Sequence, residues 1–256
     1  MLKTLRRLAP AALLVPSLLG TVLVGTASAA HVSCGQTITQ NTVLDSNVGP
    51  CSDNGIIIGA NNITLDLNGH AVFGTTSSGD GAGVLVEGRT GVTVTNGQVM
   101  LFDGGVVLVG GSGNTVSGIV AQQNIGTGAT DFGDGIALFG SSGNTIIGNV
   151  TRHNGPYSGI SLVGNSDNNV VSRNVSEGNN IAFDQTGGGP GLPTGTMDDH
   201  GIRVEGPGVN GNRITNIIVS GNGLDGILVF GFASNTGNTV SVAAAINWLT
   251  CVKNSP

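Results

Sequence analysis

The sequence predicts an all-β protein, a single-stranded right-handed parallel β-helix of roughly eight coils. Three observations carry that expectation. Gly followed by an apolar triplet recurs down the chain, Asn recurs at fixed offsets from those triplets, and 45 glycines accompany only 4% aromatic residues. Such a composition describes many short strands joined by tight turns. Disorder is excluded because apolar content is an ordinary 39%, with Val, Ile and Leu gathered in short clusters.

The first thirty residues are expected to stand outside that fold. Lys3, Arg6 and Arg7 precede an apolar run from Ala11 to Val24, and Thr26-Ala27-Ser28-Ala29-Ala30 follows. Charge, apolar segment and small-residue site in that order describe a secretory signal peptide over 1–30. The run is too short for a membrane span, and Pro16 and Gly20 interrupt it. An extracellular location is therefore expected. Removing the leader takes three of the nine Lys and Arg and none of the fifteen Asp and Glu, leaving a net charge of −9. An acidic surface of that kind repels nucleic acid and anionic membranes, so neither is expected as a partner. It also disfavours a polyanionic substrate unless calcium bridges the two. Otherwise no cofactor is expected. Of the three cysteines, Cys34 and Cys51 are expected to form a disulfide in an oxidising compartment, leaving Cys251 over.

The repeat occupies 31–250, with 251–256 as a tail. Its first series runs Gly83-Val84-Leu85-Val86, Gly105-Val106-Val107-Leu108, Gly135-Ile136-Ala137-Leu138, Gly159-Ile160-Ser161-Leu162, Gly201-Ile202-Arg203-Val204 and Gly226-Ile227-Leu228-Val229, at steps of 22, 30, 24, 42 and 25 residues. A second series begins at Asn114, Asn144, Asn169, Asn212 and Asn238, each preceding an apolar pair or Thr/Arg and an apolar residue. A third ends in Asn four positions after an apolar residue: Val120/Asn124, Val150/Asn154, Val175/Asn179 and Ile218/Asn222. Three short strands per coil, each with inward apolar residues, bury a core only when coils stack about 4.8 Å apart. Asn tolerates the turns between strands, and its amides can hydrogen-bond along the stack. Ser241 to Pro256, with Trp248, is expected to cover the last coil, whose open edge would otherwise template pairing.

The segment Cys34-Gly35-Gln36-Thr37-Ile38-Thr39, then Gly49-Pro50-Cys51, then Gly55-Ile56-Ile57-Ile58-Gly59-Ala60-Asn61-Asn62-Ile63-Thr64-Leu65-Asp66-Leu67-Asn68-Gly69-His70 resembles the opening coils of secreted bacterial right-handed β-helix repeat proteins. These form the pectate-lyase-like superfamily, NosD-like periplasmic proteins included. The resemblance covers nearly the whole mature chain. It implies architecture, and it leaves activity open among lyases, hydrolases, epimerases and adhesins. Metal delivery, which NosD-like kinship would suggest, finds only four histidines on different columns and no Met-rich stretch.

Two insertions, 126–133 and 181–199, precede the same strand series and so leave the same edge of the solenoid. The position before each Gly of the triplet holds Ala82, Gly104, Asp134, Ser158, His200 and Asp225, on neighbouring rungs roughly 5 Å apart. Alternation sends Ile202 and Val204 inward and Arg203 and Glu205 outward, with Phe139 and Phe230 in the same outward column. Asp198, Asp199, His200, Arg203, Glu205 and Asp225 are thus expected to converge between exposed phenyl rings. Such a set suits a sugar polymer lying along the groove. His200, Asp199 and Asp225 would move protons at ring carbons and Arg203 would hold a uronate carboxylate. Asp134, Glu205, Phe139 and Phe230 would line the bound chain. Asp198-Asp199-His200-Gly201 resembles the Asp-x-His segment of alginate-epimerase β-helices, without its proline and second Asp.

The expected function is binding of an extracellular polysaccharide, with cleavage or epimerisation by proton abstraction at the uronate C5 as its enzymatic form. The alternative is a non-catalytic surface or matrix protein whose solenoid presents loops for adhesion. A His200 that hydrogen-bonds only to its own turn would favour that alternative.

Overall fold

The computed structural model describes residues 29–75, 81–126, 133–179, 200–223, 225–231, 236–246 and 251–254. Gly and β-branched residues alternate here in clusters too short for any strand to bury its own face. The strands therefore pair with their counterparts one repeat away. Two parallel sheets result, one of nine strands and one of thirteen. The nine-stranded sheet stacks the first series: Gln36–Ile38, Ile56–Ile58, Ala82–Glu87, Gly104–Val109, Ile136–Phe139, Ile160–Val163, Ile202–Glu205, Ile227–Gly231 and Cys251–Asn254. Eight of them are followed by a leg of the larger sheet, which closes a parallel β-helix of eight coils.

The register follows the expected one. Val84 pairs with Val106, Val106 with Ile136, Ile136 with Ile160, Ile160 with Ile202, and Ile202 with Ile227. Inside, Ile58, Val86, Leu108, Leu138, Leu162 and Val204 make one continuous apolar column, each at most 1% exposed.

The Asn columns are hydrogen-bonded ladders. Asn144 donates to Asn169 Oδ1 through its main-chain N–H (2.8 Å) and its Nδ2 (2.9 Å). Asn169 does the same to Asn212, and Asn212 to Asn238. A second ladder links Asn124, Asn154, Asn179 and Asn222 in the same double fashion. Each bend between strands interrupts the sheet pairing, and a stacked amide supplies the partner that the buried N–H would lack. A shorter ladder, Asn149 to Asn174, marks the corner inside the larger sheet. There Asn96, Gly118, Gly148, Arg173 and Asn216 stack with φ between 55° and 65°, a left-handed turn that Asn and Gly adopt at least cost.

Three expectations change. The apolar residues of the third series do not point inward. Ala121, Thr151, Ser176 and Val219 do, while Val120, Val150 and Val175 are half-buried and Ile218 is 40% exposed. Gln123, His153, Gly178 and Gly221 take positive φ just before the ladder Asn, and that turn shifts the strand parity by one. Where described, the C-terminal segment adds strands to the two sheets instead of crossing the last coil. Thr239–Ile246 extends the larger sheet and Cys251–Asn254 the smaller, so the fold runs past 250 instead of ending in a tail. At the other end Ala29–Ala30 already pairs with Val43–Leu44. Residues 1–28, with the expected leader, lie outside the described residues, as does Trp248. The Cys34–Cys51 disulfide is present, with Cα atoms 5.4 Å apart. Among the described residues no helix is long and apolar enough to cross a membrane.

Candidate functional site

The turn entering the nine-stranded sheet carries the column expected to hold the site. Gly135 N–H bonds to Ser158 O, Gly159 N–H to His200 O and Gly201 N–H to Asp225 O, so Asp134, Ser158, His200 and Asp225 occupy consecutive rungs. Their side chains do not line an open edge, however. Asp134, Ser158 and His200 are at most 3% exposed, while the Asp225 side chain is 29% exposed.

Their hydrogen bonds explain the burial. Asp134 Oδ1 accepts the Ser158 main-chain N–H at 2.9 Å, and Asn54 Oδ1 accepts that of Ala82 at 2.9 Å. His200 Nδ1 accepts the N–H of Asp225 at 3.1 Å. All three side chains serve the next rung, as the Asn ladders do elsewhere. Asp225 Oδ2 also lies 3.5 Å from His200 Nδ1. The main-chain contact is shorter and comes from an obligate donor, so it fixes the lone pair on Nδ1 and, in the neutral ring, the proton on Nε2.

The outward face of the sheet behaves as the alternation requires. Arg203 lies in register between Ser161 and Leu228, and Glu205 lies between Val163 and Phe230. The Arg203 guanidinium stacks 5.1 Å over the centre of the Tyr157 ring, and its Nη1 donates to Glu205 Oε2 at 3.4 Å. Ser161, one rung from Arg203, donates its hydroxyl to Asp134 Oδ1. Arg203, Glu205, Phe230, Tyr157, Ser161 and Asp134 thus form one neighbourhood beside His200 and Asp225.

One expected member, Phe139, is not brought in. Phe139 lies two rungs from Glu205 and packs on Ala82, Val107 and Ala137, within an outer apolar patch of the earlier coils. Asp198 and Asp199, with the rest of 180–199, lie outside the described residues. Tyr157 is the residue that sequence reasoning missed. As the only tyrosine, two positions before Gly159, it occupied the turn equivalent to Asp199, and that shared position was the available signal. Electrostatically the neighbourhood sets one guanidinium among the carboxylates of Asp134, Glu205 and Asp225. Among the described residues no group of three or more His, Cys, Asp or Glu could hold a metal ion.

Residues 28–194 match the family model described as the right handed beta helix region, more than half of the chain. The chain belongs to the right-handed β-helix family. The β-helix protein also resembles solved structures along most of its length. The pectate lyase Pel9A is 18% identical with a TM-score of 0.52, covering 87% of this chain and 64% of its own. The Dettilon tailspike protein is 13% identical (TM-score 0.47), covering 85% of this chain and 57% of its own. An alginate lyase from Paenibacillus sp. str. FPU-7 is 14% identical (TM-score 0.41), covering 84% of this chain and 88% of its own. No curated protein matches the sequence. The β-helix protein therefore spans less than two thirds of the pectate lyase, and at such identity the likeness is one of fold.

Proposed function

We propose that the β-helix protein is an extracellular polysaccharide-binding protein. Its sugar-contacting surface is the outward face of the nine-stranded sheet around Arg203. One observation carries this reading: Tyr157, Arg203, Glu205 and Phe230, from three successive coils, meet in one outward patch, Arg203 and Glu205 on the same strand and Phe230 in register with Glu205 on the next. Sugar polymers need that combination, with ring faces for the apolar side of a pyranose and charged groups that donate to and accept from hydroxyls. Glu205 and Phe230 stand on rungs about 4.8 Å apart, so that column runs along the solenoid as a polymer would. The pectate lyase of the same fold suggests the class of ligand.

The reading stops at binding. A general base needs a lone pair within reach of substrate. The Nδ1 of His200 accepts a hydrogen bond from the main-chain N–H of Asp225, and the side chain is 4% exposed. That observation favours the second reading held by the sequence, a non-catalytic surface protein, and the two are compatible when the scaffold's task is to hold a glycan. Arg203 and Asp225 are accordingly assigned to sugar contact and not to proton transfer, and Asp199 lies outside the described residues.

Titrating the purified protein with a panel of plant, algal and microbial polysaccharides tests the proposal. Binding to at least one polymer is expected, without release of unsaturated uronate absorbing in the ultraviolet. Arg203→Ala or Phe230→Ala should weaken it about tenfold, ~1.4 kcal/mol, with the far-ultraviolet spectrum unchanged. The proposal fails if no polymer binds, or if both variants bind as tightly as the wild type.

A further inference from the structure

We infer that the chain pairs with a second copy of itself, antiparallel about a twofold axis, through the outward face of the third strand series. That face belongs to the larger sheet and leaves the surface around Arg203 unused, so the pairing stands independently of polysaccharide binding. Val120, Val150, Val175 and Ile218 stand there in register as one outward stripe over four coils. At 40% exposure, Ile218 is the one large apolar side chain that is exposed among the described residues. On the preceding leg of the same sheet the outward positions are instead Thr93, Thr115 and Thr145. An apolar stripe beside a hydroxyl-lined one gains by leaving water, and the charges next to it decide what can cover it.

Two positions further along the same strands, the outward column reads Gln122, Arg152, Glu177 and Ser220. Arg152 turns its Nε to Gln122 Oε1 at 2.8 Å, on the side away from Glu177, and among the described residues no ion pair joins Arg152 to Glu177. A cation and an anion thus stand on adjacent rungs with capacity left for a partner. A twofold axis lying across the sheet between those two rungs reverses the order of the coils and sets each column over itself. Arg152 then meets Glu177 of the partner subunit, and the symmetry makes that contact twice. In the stripe, Val150 meets Val175 of the partner subunit and Val120 meets Ile218 of the partner subunit. On the flanking corner the exposed Arg173 comes over Gly148 of the partner subunit, where the space that a side chain would fill is open. With the axis along the solenoid instead, the half-buried Arg152 would face that bare glycine and be covered without a carboxylate, which is costly. The antiparallel arrangement is therefore the one that pairs both half-buried charges.

Sedimentation velocity of the full, disulfide-bonded chain over a wide range of concentration gives the first readout. A concentration-dependent dimer is expected, and a monomer throughout, or a trimer, overturns the pairing. Charge reversal then identifies the surface. Arg152→Glu sets carboxylates against carboxylates across the axis, and Glu177→Arg sets guanidinium groups against guanidinium groups. Each variant alone should weaken the dimer at least about tenfold, and the two together should restore it. Because the double variant recovers association, misfolding of a single variant does not imitate the expected pattern. Ile218→Ser should weaken the dimer by a similar factor through the stripe. Dimerisation of both single charge variants at wild-type strength would place the contact on another surface and overturn the inference. Tolerance of Arg152→Glu together with loss in Glu177→Arg would indicate the axis along the solenoid and overturn the antiparallel pairing.

Discussion

His200 occupies the place that Asn54 and Asp134 hold in other coils, and the three side chains do one job for the rung that follows. Removing such an acceptor leaves a main-chain N–H without a partner, at about 1–3 kcal/mol. His200→Ala should therefore lower the unfolding free energy by roughly that amount. His200→Asn should restore most of it, because Asn54 already performs the task with an amide oxygen. Urea unfolding of the two variants measures the difference, and equal destabilisation would remove the ladder role. Arg203 is a contrasting case. Its outward direction followed from alternation alone, but its partner, Tyr157, came from a turn one coil away and was illegible until the coils were stacked.

Among the elements, the Asn ladders set the limits on substitution. Asn169 supplies Oδ1 to two donors of Asn144 and gives its own amide hydrogens to Asn212 and to Ser141 O. Asn114, nearer the start of the same ladder, accepts only the Val92 N–H through its Oδ1. Asn169→Ala orphans two buried donors and should cost roughly 2–5 kcal/mol, clearly more than Asn114→Ala. Denaturant midpoints compared between the two variants test the order; an equal loss would show that the ladder bonds act independently of their position. The existence of these ladders was legible because Asn recurs at fixed offsets. The facing of the third strand was not. Val120, Val150 and Val175 looked like core residues until one left-handed residue per coil, invisible in a hydrophobic pattern, reversed the parity.

The whole molecule is a stack in which each coil meets only its neighbours, so stability is greatest where both neighbours are present. Among the described residues the first coil meets a full coil on one side only, and the Cys34–Cys51 bridge closes a loop within it, at a sequence separation of 17. In the chain-entropy account a loop of that size is worth about 3 kcal/mol. Replacing both cysteines by Ser should open the N-terminal coil locally, leaving the central coils intact. Amide exchange is expected to accelerate over 36–51 while protection over 136–177 is retained, as local opening of a terminal unit requires. Uniform loss of protection would mean that the coils unfold as one unit.

The sequence by itself determined the coil count, the register of the first series and the ladder positions, because each follows from a period along the chain, and the disulfide, because two of three cysteines lie close together near its start. The tertiary structure decided what those positions do. Burial turned His200 and Asp134 into acceptors for the next rung, left-handed turns reversed the third strand, and stacking brought Tyr157 under Arg203. A period specifies which residues become neighbours. The direction and surroundings of each side chain depend on turn conformation and on contacts between coils, which a one-dimensional pattern does not contain.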